Sequence, residues 1–254
     1  MLIPLREATQ ERCGGKAAGL RTLLDAGLPV PEGYCLDTGA YRAALPAALP
    51  DPATPLRAVA AACGDLDTAL ARWEPSSALR DALARACAEL GAPLALRSSA
   101  SCEDQAGHSA AGLFVTTLEV RALPALVAAV RASWASLWQP AAWAALRAWG
   151  RSPHDEAMAV VLQRQVRARH SGFAASHDPE QPSRLRIEAT CGPPLALAQG
   201  TAVPSVLLLP RAGPARAATS GPAPLLAPRI LEALRAALLR SEQALGAAVE
   251  ARTR

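Results

Sequence analysis

Apolar residues recur along this chain at two periods, and the switches between them divide it into elements. Helical spacing runs from Lys16 to Ala26, where Leu20, Leu23 and Leu24 share a face and Gly27 supplies a C-terminal stop. Thr38 is expected to cap a short helix that contains Tyr41. The same period returns from Leu56 to Ala62, from Asp65 to Trp73, and from Ser77 to Leu90, the last with Leu79, Leu83, Ala86 and Leu90 in step. The longest helical stretch, Leu123 to Gly150, is divided at Pro140. A last helix is expected from Arg229 to about Val249, with Ile230, Leu234, Leu238, Leu245 and Val249 on its inner side.

Strand patterns lie between these helices. They cover Met1 to Leu5, Tyr34 to Leu36 after the extended Pro29–Pro31 connection, Leu113 to Val120, Ala157 to Val166, Ser171 to Ser176, Arg184 to Ala189 and Val203 to Leu209. Another apolar run of strand length ends at Leu96, so Arg97 is expected to leave the strand for a hydroxyl-rich loop. Four prolines between Pro46 and Pro55 mark a surface loop, and Arg211 to Pro228 reads as a flexible one. The mixture predicts an α+β protein of two lobes, 1–150 and 151–254, with polar Arg151 to Glu156 as the connection.

Composition narrows the class. Hydrophobic residues make up 51% of the chain but aromatics only 4%, so alanine and leucine carry most of the packing. Trp134, Trp138, Trp143 and Trp149 all fall in one helical region, which suits packing on a sheet, with stacking on a base as the alternative. The formal charge of +4 is small and dispersed, with no basic run interleaved with aromatics, so nucleic acid is not expected as a partner. Cys13, Cys35, Cys63, Cys87, Cys102 and Cys191 form no C-x-x-C pair; metal-ligand spacing is absent, and reduced thiols in a cytoplasmic setting are expected. No secretory signal is evident, and no window reaches the ~18 uninterrupted apolar residues of a membrane span.

Two stretches carry candidate chemistry. Arg97-Ser98-Ser99-Ala100-Ser101-Cys102-Glu103-Asp104, closed by Ser109-Ala110-Ala111-Gly112, offers one guanidinium, several hydroxyls and backbone N–H groups, a donor set suited to a polyphosphate. A hydrogen-bonded surface turn would use the same residues. The second stretch is Cys13-Gly14-Gly15-Lys16. Of 26 basic residues Lys16 is the single lysine, a point charge behind a glycine pair that lets backbone approach a ligand.

Taken together these stretches resemble the ATP-binding domain of the phosphoenolpyruvate synthase and pyruvate, phosphate dikinase family, which also includes rifampicin phosphotransferase. Gly14 to Tyr41 is similar to the family's GGK opening, and Arg97 to Val120 to its RSSA, ED and S-x-A-G loop. Ser133 to Leu137 matches a helix core, and Val160 to Pro179 the V-x-Q-x-x-V…SG…DP segment. Ile187 to Pro204 is similar to the IEA-x-x-G…G…P segment. The matches are collinear over about three quarters of the chain.

This resemblance implies an ATP-grasp-like fold with nucleotide between two lobes. It implies that Lys16 and Arg97 neutralise the β and γ phosphates, that Gly14, Gly15, Ser98, Ser99, Gly112 and Thr116 complete the phosphate site, and that Gln163 and the Val166 backbone hold adenine. Read from the residues alone, Gln163 is equally a buried amide satisfied by backbone. The family relays its phosphoryl group through a histidine on a separate swivelling domain, whose motif this chain lacks. His108, His154, His170 and His177 therefore read as surface or structural groups.

Departures from the pattern bear on Mg²⁺. The family's nucleotide domain closes with acidic D-x-E-W-like and Q-x-R-P-like strands; the chain is expected to stop before them, leaving Glu250 as the one stand-in. The G-L-G-E-like turn is Gly192-Pro193-Pro194-Leu195, with an aliphatic group in place of a carboxylate. The metal ligands stay unassigned. Three functions remain open: the ATP-binding component of a phosphotransferase that needs a separate phosphohistidine chain, a catalytically silent nucleotide-binding module, and a truncated remnant.

Overall fold

The two most apolar strand runs, Leu94–Ala100 (β3) and Met158–Arg164 (β5), pair antiparallel along their whole length, from Leu94 against Arg164 to Ala100 against Met158. They form the centre of a five-stranded sheet in the computed structural model. That model describes all residues except 47–48, 104–109, 111, 193–196, 198–199, 215–217, 222–225 and 254, and leaves aside the side chains of 250–253. Leu2–Pro4 (β1) and Gly33–Leu36 (β2) extend the sheet beyond β5, and Thr116–Val120 (β4) extends it beyond β3, giving the order β1-β2-β5-β3-β4.

Alternation along these strands decides which face is covered. Leu94, Leu96, Ala100, Met158, Val160 and Leu162 enter a core with Leu66 and Leu70 of Gly64–Arg72, Leu83 and Leu90 of Ser77–Leu90, Trp134 of Leu123–Ala135, and Trp143 of Pro140–Ala148. Trp134, Trp138 and Trp143 are fully buried there. Trp73 meets Trp134 edge-on at 4.6 Å, and Trp138 Nε1 donates to the Tyr41 hydroxyl at 2.9 Å. His154 lies edge-on to Trp138 at 5.3 Å, with Nε2 2.7 Å from the Pro50 carbonyl. The tryptophans are packing groups, and His154 is structural.

The chain divides into two units, Met1–Arg21 with Val30–Gln165, and Thr22–Pro29 with Val166–Arg254. The boundary expected after Gly150 precedes β5, whereas β5 is central to the first sheet. The second unit has its own antiparallel sheet, formed by His170–Ala175 (β6), Arg184–Cys191 (β7), Ser205–Pro210 (β8), Ala218–Ser220 (β9) and Glu250–Thr253 (β10), in the order β10-β6-β7-β8-β9. Its core is smaller: Ala174, Leu185, Ile187, Ala189, Leu207 and Leu209 from the sheet, with Leu231 and Leu238 from helix Pro228–Leu245. The fold is thus α+β and ATP-grasp-like, as expected from the sequence.

Several local expectations are corrected. The first helix, Gln10–Asp25 (α1), starts upstream of the glycine pair and continues through it, with a break at Gly14. Asp37, one residue before Thr38, caps the second helix, because its carboxylate accepts from Ala40 N–H and leaves Thr38 as the first helical residue. Arg97 does not leave the strand, since β3 continues through Arg97-Ser98-Ser99-Ala100 with β5 beside it. Leu238 and Val249 are buried as expected, but Ile230 and Leu245 are exposed and Leu231 turns inward. Within the stretch expected to be a flexible loop, Ala218–Ser220 pairs with β8. At the end of the chain β10 pairs with β6 and sets Glu250 opposite Ala175.

Candidate functional site

The first unit's site is built where α1 meets β3. At the α1 break Gly14 has φ 74° and ψ 172°, and a Cβ there would lie 2.3 Å from the Ser99 carbonyl oxygen. Only glycine lets helix backbone and strand backbone come this close. Cys13 and Ala17 lie on either side of this break. Ser99 fills the gap: Ala17 N–H donates to Ser99 Oγ at 3.0 Å, and Ser99 Oγ–H donates to the Cys13 carbonyl at 2.6 Å. A strand hydroxyl is thus inserted into the helical ladder, which holds the glycine turn against β3.

Lys16 emerges from this turn. Its Nζ donates to the Ser98 carbonyl at 2.5 Å and to Glu103 Oε1 at 2.8 Å, with Ser98 Oγ at 3.4 Å. Glu103 is buried, and its second oxygen accepts from Ala100 N–H at 2.9 Å, so one carboxylate ties the end of β3 to the lysine. A second buried carboxylate braces the same strand end. Glu156 accepts from Ser101 Oγ–H and pairs with Arg151 Nε at 2.5 Å, while Ser101 N–H donates to the Ala157 carbonyl at 2.9 Å. The segment expected to connect the lobes therefore folds back on the hydroxyl-rich motif.

Register places the remaining candidates. Leu94, Leu96 and Ala100 face the helical core, so the alternate residues Ala95, Arg97 and Ser99 occupy the other face of the sheet. Directly opposed antiparallel residues share a face; Arg97 is opposite both Thr116 and Val161, and Ala95 is opposite Gln163. Arg97, Ser99, Thr116 and Gln163 thus lie on one face of one sheet, where Ser99 meets α1. Gln163 is buried and its Nε2 donates to the Pro31 carbonyl at 2.8 Å, so the amide nitrogen is satisfied by backbone. Gly15 is buried.

Gly112 has φ 77°, is exposed, and among the described residues has no atom within 4 Å of the position a Cβ would take. Val166 is exposed and belongs to the second unit. Asp104, His108, Ser109, Ala111 and the Pro193-Pro194-Leu195 turn lie outside the described residues. Glu103 and Glu156 are the residues that the sequence reading did not assign to the site. Glu103 stands in the quoted motif, and its spacing of three from Ala100 is the available signal for a carboxylate that caps a strand end.

Thiols add two details. Burial pushes Cys102 up to about 12, which keeps it protonated. The Cys35 thiol, hydrogen-bonded to Cys13, brings Cys13 down to about 7 against the effect of its burial.

Within the second unit, Phe173, Ala175, His177, Pro179, Arg186 and Glu188 line a cavity of about 230 Å³. Arg186 holds Asp178 at 3.1 Å and Glu188 at 2.8 Å. His177 Nδ1 is buried there with no partner among the described residues. Among those residues no cluster of three or more His, Cys, Asp or Glu is arranged to hold a metal ion, and no helix is long and apolar enough to cross a membrane.

Residues 10–211 match a known family, the AMP/ATP-binding domain of pyruvate phosphate dikinase. The chain is similar to the prodigiosin synthesizing transferase PigC of Serratia marcescens, at 38% identity over 66% of the chain and 18% of the relative. It is similar to phosphoenolpyruvate synthase of Aeropyrum pernix, at 30% identity over 70% of the chain and 24% of the relative. Rifampicin phosphotransferase of Streptomyces sviceus is 32% identical over 76% of the chain and 24% of its own length. The chain therefore spans from 18% to 24% of the length of these relatives.

Proposed function

The chain belongs to the family of pyruvate phosphate dikinase AMP/ATP-binding domains, and we propose that it is the ATP-binding component of a phosphotransferase. In this reading the phosphohistidine and the acceptor site are supplied by other domains or another chain. The observation that carries it is the seating of Lys16, the single lysine, against the Ser98 carbonyl and Glu103 by a turn that only glycine permits.

The donor set fits a polyphosphate. Lys16 and Arg97 supply fixed positive charge for the β and γ phosphates, which stabilises the charge that shifts between oxygens during phosphoryl transfer. Gly14 and Gly15 seat the turn that carries Lys16 against β3, and Gly112, with open space around it among the described residues, allows a backbone approach to the ligand. Ser98, Ser99 and Thr116 complete the phosphate side. Ser99 acts through the helix turn it holds, and Thr116 lies beside Arg97. On the first unit, Gln163 addresses the base with its amide oxygen, its nitrogen being given to Pro31. ATP supplies the transferable phosphoryl group; the chain's own residues bind and orient it.

A catalytically silent nucleotide-binding module is the second reading. It is favoured by Leu195, an aliphatic residue where the family pattern has a carboxylate.

Thermal unfolding of the wild type and Lys16→Ala with ATP, each with and without Mg²⁺, tests the proposal. ATP at about a hundred times its dissociation constant should stabilise the wild type by ~2.7 kcal/mol. Lys16→Ala should lose that shift. A wild type that does not respond to ATP overturns the nucleotide reading. A response that Mg²⁺ leaves unchanged favours the silent module.

A further inference from the structure

We infer that Glu103 is a positioning residue of the nucleotide site, acting through Lys16: its buried carboxylate fixes the ammonium at the end of β3 before any ligand arrives. The inference rests on the ATP-binding reading above and assigns the site a residue that the reading does not use.

A lysine ammonium sits on a flexible four-carbon stem, so binding an anion with it ordinarily costs the ordering of that stem. Here the stem is already ordered. Glu103 cannot drift, because its Oε2 accepts from Ala100 N–H at 2.9 Å and its own N–H donates to the Ala100 carbonyl at 3.2 Å. Its Oε1 takes Lys16 Nζ at 2.8 Å, and the Ser98 carbonyl takes the same ammonium from β3 itself. Lys16 is thereby registered against the strand that carries Arg97.

Exposure sets the direction of the effect. The Glu103 side chain is 5% exposed and the Lys16 side chain 24%. An anion arriving from solvent meets the ammonium, with the carboxylate behind it. Pre-ordering then outweighs the repulsion between carboxylate and phosphate, and removing the charge of Glu103 should weaken polyphosphate binding.

A double-mutant cycle decides whether Glu103 acts through Lys16 or only supports the fold. ATP and adenosine affinities are measured by calorimetry on the whole chain for the wild type, Glu103→Gln, Lys16→Met and the double variant. Glu103→Gln should lose about tenfold in ATP affinity, leave adenosine affinity unchanged, and cost nothing further once Lys16→Met is present. Because the chain has one lysine, ¹³Cε labelling of lysine gives a single side-chain resonance, which should move in Glu103→Gln and again on addition of ATP.

Unchanged ATP affinity in Glu103→Gln overturns the inference and leaves the nucleotide reading standing. An equal loss on the Lys16→Met background, or an equal loss for adenosine, also overturns it, since the role is then structural. If the wild type does not bind ATP, the nucleotide reading has failed and the inference falls with it. Should Glu103→Gln fail to fold, Glu103→Asp keeps the charge but withdraws it by one methylene, and is read by the same cycle with a smaller expected loss.

Discussion

The two units share a plan, an antiparallel five-stranded sheet with helix on one face, but differ in what fixes the other face. In the first unit, three fully buried tryptophans and the leucines of four helices press on one side of β3 and β5. The opposite side carries Arg97, Ser99, Thr116 and Gln163, and groups from remote segments lock that region: the Cys13 carbonyl and Ala17 N–H onto Ser99, and Pro31 onto Gln163. In the second unit the core is a small aliphatic set closed by Leu231 and Leu238. Its opposite face carries a side-chain network, Asp178–Arg186–Glu188, beside a cavity with a His177 nitrogen that has no partner among the described residues. The first unit is braced by backbone and hydroxyl contacts together with two buried carboxylates, Glu103 on Lys16 and Glu156 on Arg151. In the second unit the corresponding face is held by one arginine shared between two carboxylates.

The sharpest way to break this contrast is in the first core. Trp138→Ala should destabilise the chain by about 3–5 kcal/mol, since it leaves a cavity and orphans the Tyr41 hydroxyl. Urea unfolding followed by far-ultraviolet circular dichroism measures this. Leu238→Ala in the second core is expected to cost about 2 kcal/mol. A loss equal to that of Trp138→Ala would remove the distinction between the cores.

Gly14→Ala tests the helix break. The new Cβ would overlap the Ser99 carbonyl at a positive φ, so a loss of at least ~1–2 kcal/mol is expected. ATP should then stabilise the variant less than the wild type. A variant that keeps the full ATP shift would separate the glycine turn from the nucleotide site.

The smallest effect concerns pH. Burial raises the Asp67 carboxyl above its ordinary value, and its Oδ1 has no partner among the described residues. A carboxyl whose folded-state pKa lies above its unfolded value contributes stability that is full below the unfolded pKa and is lost as pH rises through the folded one. Asp67→Asn should therefore stabilise the chain at neutral pH, by less than ~1 kcal/mol, and the gain should vanish in acid. Thermal melts at pH 4 and pH 7 read the difference, and a variant less stable than the wild type at pH 7 would show that the ionised group is satisfied.

The sequence by itself determined the helices, most of the strands and the identity of the chemical groups. Helical spacing from Ser77 to Leu90 is local, and so is the Gly-Gly-Lys turn that marks the single lysine. The family resemblance was legible for the same reason, as residue types at fixed short spacings. Tertiary structure decided what those groups touch. Ser99 enters the ladder of α1 from a position 82 residues away, and Glu103 reaches Lys16 across 87. Nothing in the local pattern of Arg97-Ser98-Ser99-Ala100 distinguishes a loop from a central strand; β5, arriving some sixty residues later, supplies the hydrogen bonds that make it one. Side-chain partners depend on which distant backbones are brought within a few ångströms, and that is set by packing of the whole sheet rather than by any one segment's periodicity.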